Sequence, residues 1–383
     1  MDALMLPSNW QRVRLGDIAT FLKGKGLSKS QVSSNAKHEC ILCGELFTYY
    51  DRVITNIKNF TNIYNNPILS LSNDVLMSGS AETPDILATA SCILKEGVIL
   101  GGDILIIRPN SNLLNGCFLA YCIVYDKNQV LSKVVGSTVY HLYAKDLKDF
   151  EILLPPLNEQ IAIANILSDV DRYLYSLDAL ILKKESVKKA LSFELLSQRK
   201  RLKGFNQNWQ RVRLGDICEI TTGSLDANEM VHYGKYRFYT CAKEYYFIDK
   251  YAFDTEAILI SGNGAYVGYV HYYKGKFNAY QRTYVLDNFS EHIIFVKYFL
   301  TMFLQSHIQT NRNEGNTPYI VMATLKDFEI LLPPLNEQIA IANILSGLDH
   351  EIASLKNKKR QFDNIKKALN HDLMSAKIRV LKK

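Results

Sequence analysis

Features that mark membrane or exported proteins are missing from this chain of 383 residues. No run of about 18 or more apolar residues occurs, so no membrane-spanning helix is expected. The first residues, MDALMLPSNW, have neither a basic start nor a long apolar core, and no signal peptide is predicted. Cysteine is scarce and odd in number, at seven residues. These absences together predict a reduced, cytoplasmic protein with no membrane partner.

Signatures of catalysis are missing as well. The sequence contains no GxxxxGK(S/T) phosphate-binding loop, no GxSxG turn and no HExxH motif. One CxxC, Cys40 to Cys43, has no second pair at a suitable distance, so no zinc site is expected. The paired prolines at 155–156 and 333–334 lie in LPPL, not in the Asn/Asp-Pro-Pro-aromatic motif of amino-methyltransferases. We therefore expect a binding protein without catalytic residues or a metal site.

What the chain does contain is an internal repeat. NWQRVRLGDI occupies residues 9–18 and 208–217, and LKDFEILLPPLNEQIAIANILS occupies 147–168 and 325–346. The inserts between these segments hardly resemble each other, and each exceeds about 100 residues, enough for its own core. Two copies are fewer than the three or so that a solenoid needs. The pattern predicts two pseudo-symmetric halves, in which one framework carries two different inserts.

A long helix is predicted after each LPPL segment. Residues 157–201 contain neither proline nor glycine, and 335–383 contain one glycine. Pro156 and Pro334 suit a first helical turn, where the missing N–H costs nothing. Gly204 is a natural stop for the first helix. At about 1.5 Å per residue, each helix would be about 60 Å long.

The apolar residues of these helices recur at alternating steps of four and three. Heptad spacing sustained over this length indicates a coiled coil. Lysines at 184, 188, 359 and 366 interrupt the apolar seam. Since two helices of one chain can bury each other's seam, we predict antiparallel pairing within the molecule. Pairing between molecules is the alternative.

The two inserts have the pattern of strand-rich domains. Runs rich in β-branched and aromatic residues at 103–108, 257–261 and 266–273 are bounded by Gly, Asn or Asp. Helices are expected near 118–125 and 291–305. The predicted fold class is α+β: two globular α/β domains separated by two long antiparallel coiled-coil helices, with a pseudo-twofold internal repeat. The predicted boundaries are 1–156 and 204–334 for the domains, and 157–203 and 335–383 for the helices.

Charged and aromatic residues favour a nucleic-acid-binding surface. A net charge of +7 and a pI near 8.8 permit DNA binding without requiring it. The second insert interleaves tyrosines with the cationic and amide side chains that contact phosphates and base edges, although most tyrosines in such a pattern pack in a core. Late in the inserts, Gly136-Ser-Thr parallels Gly315-Asn-Thr, loops that either precede a framework strand or face DNA. The candidates for DNA contact are Lys23, Lys25, Lys29, Arg52, Arg108, Lys133, Ser137, Thr138, Lys235, Arg237, Tyr239, Lys243, Asn263, Tyr266, Lys274, Arg282, Asn316 and Thr317.

The repeated segments resemble one protein family. LPPLNEQ-IA-IL, which ends a variable domain and opens a long helix, resembles the specificity subunits of type I restriction–modification enzymes, and the WxxxxLGDI that opens each half matches as well. Leu71 to Met77 and Ala257 to Gly268 also look like interior strands of that family's target-recognition domains. The resemblance covers essentially the whole chain, twice in the same order. A composition rich in Asn, Ile, Lys and Tyr is further typical of an AT-rich bacterial genome, such as that of a mycoplasma.

The resemblance implies a role in recognising DNA. Each target-recognition domain would read one half of a bipartite, asymmetric site in double-stranded DNA, and the helices would set the spacer and dock two methyltransferase subunits. Restriction subunits would complete the assembly. S-adenosylmethionine, ATP and Mg would belong to these partner subunits, with no cofactor in this chain. The positions that carry over are framework or partner-docking residues, namely Pro156, Glu159, Gln160, Pro334, Glu337 and Gln338.

Two other interpretations stay open at this point. One is a stand-alone or orphan DNA-binding or scaffold protein without active partners. The other is an enzyme whose site the motifs do not reveal. The orphan interpretation predicts tight, specific DNA binding by the isolated chain, and the enzyme interpretation predicts catalysis by it. We expect weak, salt-sensitive binding by the isolated chain, because a modest net charge allows few phosphate contacts.

Overall fold

A computed structural model describes residues 7–63, 65–311 and 318–380 of the chain. The chain forms two compact units. Unit 1 consists of Met1–Asp178 and Asn357–Lys383, and unit 2 of Ala179–Lys356. Each unit therefore contains one of the two inserts together with part of both long helices. Asn316 and Thr317, two candidates for DNA contact, lie outside the described residues.

The described residues form a mixed α/β structure. The α-helices are α1 (Leu15–Ile18), α2 (Pro84–Leu87), α3 (Gly116–Tyr125), α4 (Lys127–Leu131), α5 (Leu157–Leu196), α6 (Ile293–Asn311), α7 (Met322–Lys326) and α8 (Leu335–Met374). The strands are β1 (Gln11–Arg14), β2 (Ala19–Lys23), β3 (His38–Ile41), β4 (Val53–Ile54), β5 (Asn59–Thr61), β6 (Asp74–Ser78), β7 (Ser80–Ala81), β8 (Ser91–Ile93), β9 (Ile99–Leu100), β10 (Ile104–Pro109), β11 (Tyr140–His141), β12 (Glu151–Leu154), β13 (Gln210–Arg213), β14 (Glu219–Thr222), β15 (Tyr236–Tyr239), β16 (Tyr246–Ile248), β17 (Phe253–Ser261), β18 (Val270–Ala279), β19 (Thr283–Asp287) and β20 (Glu329–Leu332). Short 3-10 helices cover Lys29–Gln31, Cys43–Phe47, Ala144–Leu147, Leu214–Asp216 and Ala227–Glu229.

The two repeated segments are each other's hydrogen-bonding partners. In unit 1, β1 pairs antiparallel with β12, and Gln11 lies opposite Leu154. In unit 2, β13 pairs antiparallel with β20 in the same register, with Gln210 opposite Leu332. Each ribbon brings the beginning of a half next to the segment that leads into its long helix. The repeat is therefore a closed framework that is built once in each unit.

In the sequence of each half, the insert lies between the two ribbon strands, and it forms a larger sheet. The order in unit 1 is β2-β10-β6-β8-β4, and in unit 2 it is β14-β19-β17-β18-β15-β16. The predicted strands at 103–108 and 257–261 are confirmed, whereas residues 266–269 precede β18 instead of belonging to it. The predicted insert helices are confirmed as α3 and α6. Mixed α/β architecture with two repeated domains is thus the fold class.

Alternation along the strands gives each sheet two apolar faces. The first face packs on the insert helix and the framework, through Leu105 and Ile107 in unit 1 and through Ile258 and Ile260 in unit 2. The second face carries the intervening residues. In unit 1 it is a core of aliphatic side chains, whereas in unit 2 it is built around aromatic side chains.

The long helices reach the predicted length but end earlier than predicted. Both α5 and α8 have 40 residues, which corresponds to about 60 Å. The chain leaves the helical conformation at Gln198 and Ala376, which have φ angles of 61° and 59° in the left-handed region. Left-handed residues terminate helices because they redirect the backbone towards the last free carbonyls. The expected ends at 203 and 383, and the expected stop at Gly204, were wrong for this reason.

The two long helices pair antiparallel within each unit. Ion pairs between α5 and α8 follow this direction, since residue numbers rise along one helix while they fall along the other. The lysines that interrupt the predicted seam therefore have acidic partners on the opposite helix of the same chain. The pairs are Asp171–Lys366 and Asp178–Lys359 in unit 1, and Lys184–Glu351, Lys188–Asp349 and Glu185–Lys356 in unit 2. No helix of the described ranges is long and apolar enough to cross a membrane.

Candidate nucleic-acid interface

A buried carboxylate joins the framework to the start of the long helix in unit 1. Glu159 is 1% exposed and lies in the first turn of α5. It accepts hydrogen bonds from Trp10 Nε1 at 3.3 Å and from Arg379 Nε and Nη2 at 2.6 and 2.7 Å. Bidentate pairing of this kind is strong, and it stabilises a carboxylate that burial alone would destabilise.

Unit 2 repeats this arrangement with its own residues. Glu337 is fully buried and accepts hydrogen bonds from Trp209 Nε1 at 3.2 Å and from Arg201 Nε and Nη2 at 2.9 and 2.7 Å. The Arg in each unit follows the C-terminus of one long helix, and the Glu begins the other. We call the two sets of three residues the Glu–Arg–Trp clusters.

The neighbouring glutamine ties the helix start to the insert. In unit 1, Gln160 Nε2 donates to the carbonyls of Leu113 at 2.9 Å and Pro155 at 2.8 Å. Its Oε1 accepts from the backbone N–H of Asn115 at 2.8 Å. The amide is fully buried, so these bonds account for its polar atoms.

In unit 2, Gln338 has the same function. Its Nε2 donates to Pro333 O at 2.8 Å and to Glu291 Oε2 at 2.6 Å, and its Oε1 accepts from His292 N at 3.0 Å. Of the residues predicted to serve the framework or to dock a partner, Glu159, Gln160, Glu337 and Gln338 have buried side chains that bind this chain itself. Pro156 and Pro334 are half-buried and accept the first helical N–H groups, from residues 159–160 and 337–338.

A second repeated cluster fixes the insert helix to the long helices. In unit 1, Tyr121 OH on α3 donates to Asp171 Oδ2 at 2.7 Å, and Lys366 pairs with the same carboxylate. In unit 2, Tyr298 OH on α6 donates to Asp349 Oδ2 at 2.6 Å, and Lys188 is the ion-pair partner. Burial acts to raise the pKa of Asp349, but hydrogen bonds from Lys188 and Tyr298 outweigh it and lower that pKa.

The sequence patterns did not identify Arg201, Arg379 or these Tyr–Asp–Lys clusters. A signal was present nevertheless. Arg201 and Arg379 are 178 positions apart, as are Leu147 and Leu325, so the second repeat continues beyond the helices in spacing although not in sequence. Matching positions by that offset makes the two arginines equivalent to each other, just as it makes Glu159 equivalent to Glu337.

Two arginine candidates of unit 1 are bound within the protein. Arg108 Nε and Nη2 both donate to Asp74 at 2.8 Å, and Nη2 also reaches Leu69 O at 3.1 Å. Arg52 Nη1 donates to Ala90 O at 3.1 Å, and burial lowers the pKa of Arg52. Both predictions of DNA contact are corrected here, because these guanidinium groups are committed to structural partners.

The other candidates of unit 1 lie on the surface. Lys25, Lys29, Lys133, Ser137 and Thr138 are exposed. Lys23 is also exposed but pairs with Asp103 at 2.8 Å.

The loop that contains Ser137 and Thr138 is anchored beside β7. Its flanking strand β11 pairs with β7, and Leu142 N donates to Gly79 O at 3.0 Å. Gly79 N in turn donates to Asp103 O at 2.7 Å. Lys23, through Asp103, is therefore close to this loop. We call this part of the sheet the loop corner of unit 1.

Unit 2 has an equivalent loop corner. Ile320 N donates to Gly262 O at 2.9 Å, and Gly262 N donates to Arg282 O at 2.8 Å. Asn263 is half-buried and forms an isolated bridge with Tyr319, and Arg282 is exposed. The structure thus brings Asn263 and Arg282 together, next to the segment that follows the two candidates outside the described residues.

The remaining candidates of unit 2 lie on both faces of the large sheet and in the adjoining loops. Tyr239 is 2% exposed and belongs to the core, so its predicted DNA contact is corrected. Arg237 stacks on two tyrosine rings, and Lys243 Nζ lies 5.0 Å from the ring centroid of Tyr266, which is 43% exposed. Lys235 is exposed, and Lys274 pairs with Glu256 at 3.0 Å.

The cysteine pair noted in the sequence has ordinary partners. Cys40 is buried, and burial raises its pKa to about 11. Cys43 Sγ lies 2.9 Å from Ser78 Oγ and 3.3 Å from Asp103 O. In the part of the chain that the structure describes, no group of three or more His, Cys, Asp and Glu side chains could hold a metal ion.

Comparisons with known proteins agree with the repeated framework. The family described as type I restriction modification DNA specificity domain matches residues 7–184 and 206–362. The type I restriction enzyme EcoDI specificity subunit of Escherichia coli is 37% identical over 171 residues, which cover 44% of this chain and 37% of that protein. The MjaVIII specificity subunit of Methanocaldococcus jannaschii is 24% identical over 429 aligned positions, which cover 99% of this chain and 95% of that protein.

A solved structure shares the fold. The crystal structure of the type I restriction–modification S subunit from M. genitalium superposes with a TM-score of 0.71 at 18% identity, covering 97% of this chain and 98% of that one. The two family matches fall on the two halves of the chain, each of which contains its own ribbon, buried Glu and long helix. The chain belongs to the family of type I restriction–modification DNA specificity subunits.

Proposed function

We propose that each unit reads one half of a bipartite, asymmetric site in double-stranded DNA. The observation that carries this proposal is the contrast between framework and insert. The ribbons and buried clusters are the same in both units, whereas the second sheet faces differ in chemistry. Two dissimilar inserts on one framework support two dissimilar half-sites. The recognition domains proposed for this task are the segments 1–156 and 204–334.

The side chains proposed to contact DNA are those that remain available on the described surface. Cationic, amide and hydroxyl side chains on this surface can reach phosphates and base edges. They are Lys23, Lys25, Lys29, Lys133, Ser137, Thr138, Lys235, Arg237, Lys243, Asn263, Tyr266, Lys274 and Arg282. Because phosphate contacts release counterions, binding through them is salt-dependent.

We also propose that the framework docks two copies of a methyltransferase subunit. Support comes from exposed residues at the helix starts, in a segment identical in both units. Ile161 is 41% exposed and Ile339 is 39% exposed, and both belong to the LNEQIAIANIL repeat. The cores of the two units do not bury these apolar side chains, which leaves them available to a partner. One copy of the partner could bind at each helix start.

Restriction subunits are the further partners proposed for the full assembly. In that assembly S-adenosylmethionine, ATP and Mg belong to the other subunits, and this chain catalyses no step. The paired helices α5 and α8 are proposed to set the spacer between half-sites, since half-site separation follows from protein geometry. The antiparallel ion pairs along these helices support this assignment.

The test is a map of methylated adenines in cells that express this chain with a candidate methyltransferase subunit. We expect a new split, asymmetric motif that is absent when the methyltransferase subunit is expressed alone. Exchanging residues 19–146 for the insert of a related chain should change one half-site and leave the other. An assembled complex that methylates no new motif contradicts the proposal.

The spacer is tested separately. Adding matched heptads to α5 and α8 should lengthen the unspecific spacer while both half-sites stay the same. A spacer of unchanged length in such a variant excludes the helices as its determinant.

A further inference from the structure

We propose that Arg237 reads a guanine in the half-site of unit 2, and that Tyr245 and Tyr273 hold its guanidinium group in the orientation this contact needs. The inference rests on the proposed function, because it assigns one base contact within the proposed DNA-binding surface. It adds the base, the residue that recognises it and the residues that position that residue.

Arg237 stands on an aromatic platform. It lies on β15 two residues before Tyr239, so both side chains leave the strand towards the second sheet face. The buried ring of Tyr239 forms the centre of this platform. Four rings surround it at centroid distances of 6.1, 5.2, 5.9 and 6.0 Å, those of Tyr245, His271, Tyr273 and Phe277.

Two of these rings also contact the guanidinium group. Arg237 Cζ lies 4.2 Å from the ring centroid of Tyr245 and 4.4 Å from that of Tyr273. Cation–π contacts at such distances restrict the orientation of the planar group. Its N–H donors lie along the edge of that plane, and Nη1 donates to Tyr239 OH at 3.4 Å.

The cations on the neighbouring strand are bound differently. Lys274 and Lys276 on β18 are paired with Glu256 and Asp254, at 3.0 and 3.9 Å. Among the described residues, Arg237 has no ion-pair partner, and its guanidinium group contacts three tyrosines. Its charge is therefore not neutralised within unit 2, and most of its N–H donors are left for a ligand.

A guanine matches this arrangement better than a phosphate does. Guanine presents O6 and N7 side by side in the major groove, and the arginine fork donates to both. A phosphate contact needs positive charge and tolerates many orientations, as the point charge of lysine shows. Two stacking rings fix the orientation of the Arg237 guanidinium group without adding charge. This favours contact with a base over contact with a phosphate.

The experiment uses the full chain in complex with a methyltransferase subunit and compares methylated-adenine maps for Arg237→Lys and the parent. Lysine keeps the charge but lacks the fork. We expect one G·C position of the second half-site to accept other base pairs, with discrimination falling by about tenfold to a hundredfold. The first half-site and the spacer should stay unchanged, and their persistence shows that the complex has folded and assembled.

Two further variants keep the test independent of folding. Tyr245→Ala removes one stacking ring at a position that is 40% exposed, and it should relax the same base pair. Arg211→Lys is the matched control, since this arginine lies on the framework strand β13 and pairs with Glu329 at 2.7 Å. It should leave the motif as it is.

The outcomes separate the inference from the proposed function. If the parent complex methylates no split motif, the proposed function fails. If it does, and Arg237→Lys leaves the motif unchanged, or lowers methylation at all sites without relaxing any base, Arg237 does not read a guanine. A second half-site without any G·C pair also overturns the inference.

Discussion

The second sheet faces of the two units have the same position in the fold and opposite character. In unit 1 this face is a closed aliphatic core that contains Leu76, Ile104 and Ile106. In unit 2 it centres on Tyr239 and Phe277, with partly exposed tyrosines and cations around them. The first faces, by contrast, both pack on an insert helix and the framework. One face of each sheet is thus constrained by the framework, and the other is free to diverge.

The largest effect is expected from opening the aliphatic face. Ile106→Ala removes a fully buried side chain from unit 1 and should lower the free energy of unfolding by about 3 to 4 kcal/mol. Tyr273→Ala on the half-buried aromatic face of unit 2 should cost about half as much and should impair DNA reading more. Urea denaturation of both variants, with methylation maps of their complexes, tests the contrast. Equal losses of stability would show that the two faces are equally closed.

The Glu–Arg–Trp clusters should respond alike, because they belong to the shared framework. Arg201→Ala leaves buried Glu337 without its strongest partner, and breaking a buried pair costs about 3 to 5 kcal/mol. Since about a third of the Arg201 side chain is exposed, we expect about 2 to 3 kcal/mol from unit 2.

The matched variant of unit 1 is Arg379→Ala, which should destabilise that unit in the same way, by leaving buried Glu159 without its ion-pair partner. Denaturant titration with a probe in each unit measures both, and Arg201→Lys serves as a control that keeps one charged hydrogen bond. If only one of the two alanine variants is destabilised, the clusters are not equivalent.

A smaller difference between the faces should appear as a dependence on pH. Burial lowers the pKa of His271, whose Nε2 lies 2.9 Å from Ala242 O. A histidine with a lowered pKa in the folded state stabilises the fold above its unfolded pKa of about 6.5. This stability is lost as the pH falls towards the folded pKa.

Unit 2 should therefore weaken below about pH 6.5, by at most about 1.4 kcal/mol per pH unit from this group. His271→Gln should reduce that slope, as thermal unfolding measured between pH 7 and 5 would show. A slope that the substitution leaves unaltered would assign the pH dependence to other groups.

The smallest effect concerns single phosphate contacts. Lys243→Ala should reduce the slope of log affinity against log salt by about one, whereas Lys274→Ala should reduce it less, because Lys274 already pairs with Glu256. Salt titrations of DNA binding by the assembled complex give both slopes. A larger change for Lys274 would reverse this ranking.

Local patterns predicted the elements of the fold but not the long-range pairs that close it. Heptad spacing predicted the long helices, yet their ends depend on the left-handed residues Gln198 and Ala376, which are not glycines. Lysines such as Lys188 interrupt the apolar seam when one helix is considered alone. Their acidic partners lie on the other helix, far away in the sequence. Antiparallel pairing brings those partners together.

The candidate site was less predictable for a related reason. Residue type cannot distinguish Arg108, which is bound to a buried aspartate, from Arg237, which stacks on tyrosines. Period-two alternation places Arg237 and Tyr239 on one face of β15, but the depth of each side chain depends on the neighbouring strand β18. Only the tertiary pairing of strands settles which of them remains accessible.

The discontinuity of unit 1 has a consequence for the order in which the protein is completed. Unit 2 is one continuous segment, whereas Lys366 and Arg379, the partners of Asp171 and Glu159, follow all of unit 2 in the sequence. During synthesis from the N-terminus, the first insert and α5 emerge long before the residues that neutralise the carboxylates of Glu159 and Asp171. The half of the protein that is made first is therefore finished last.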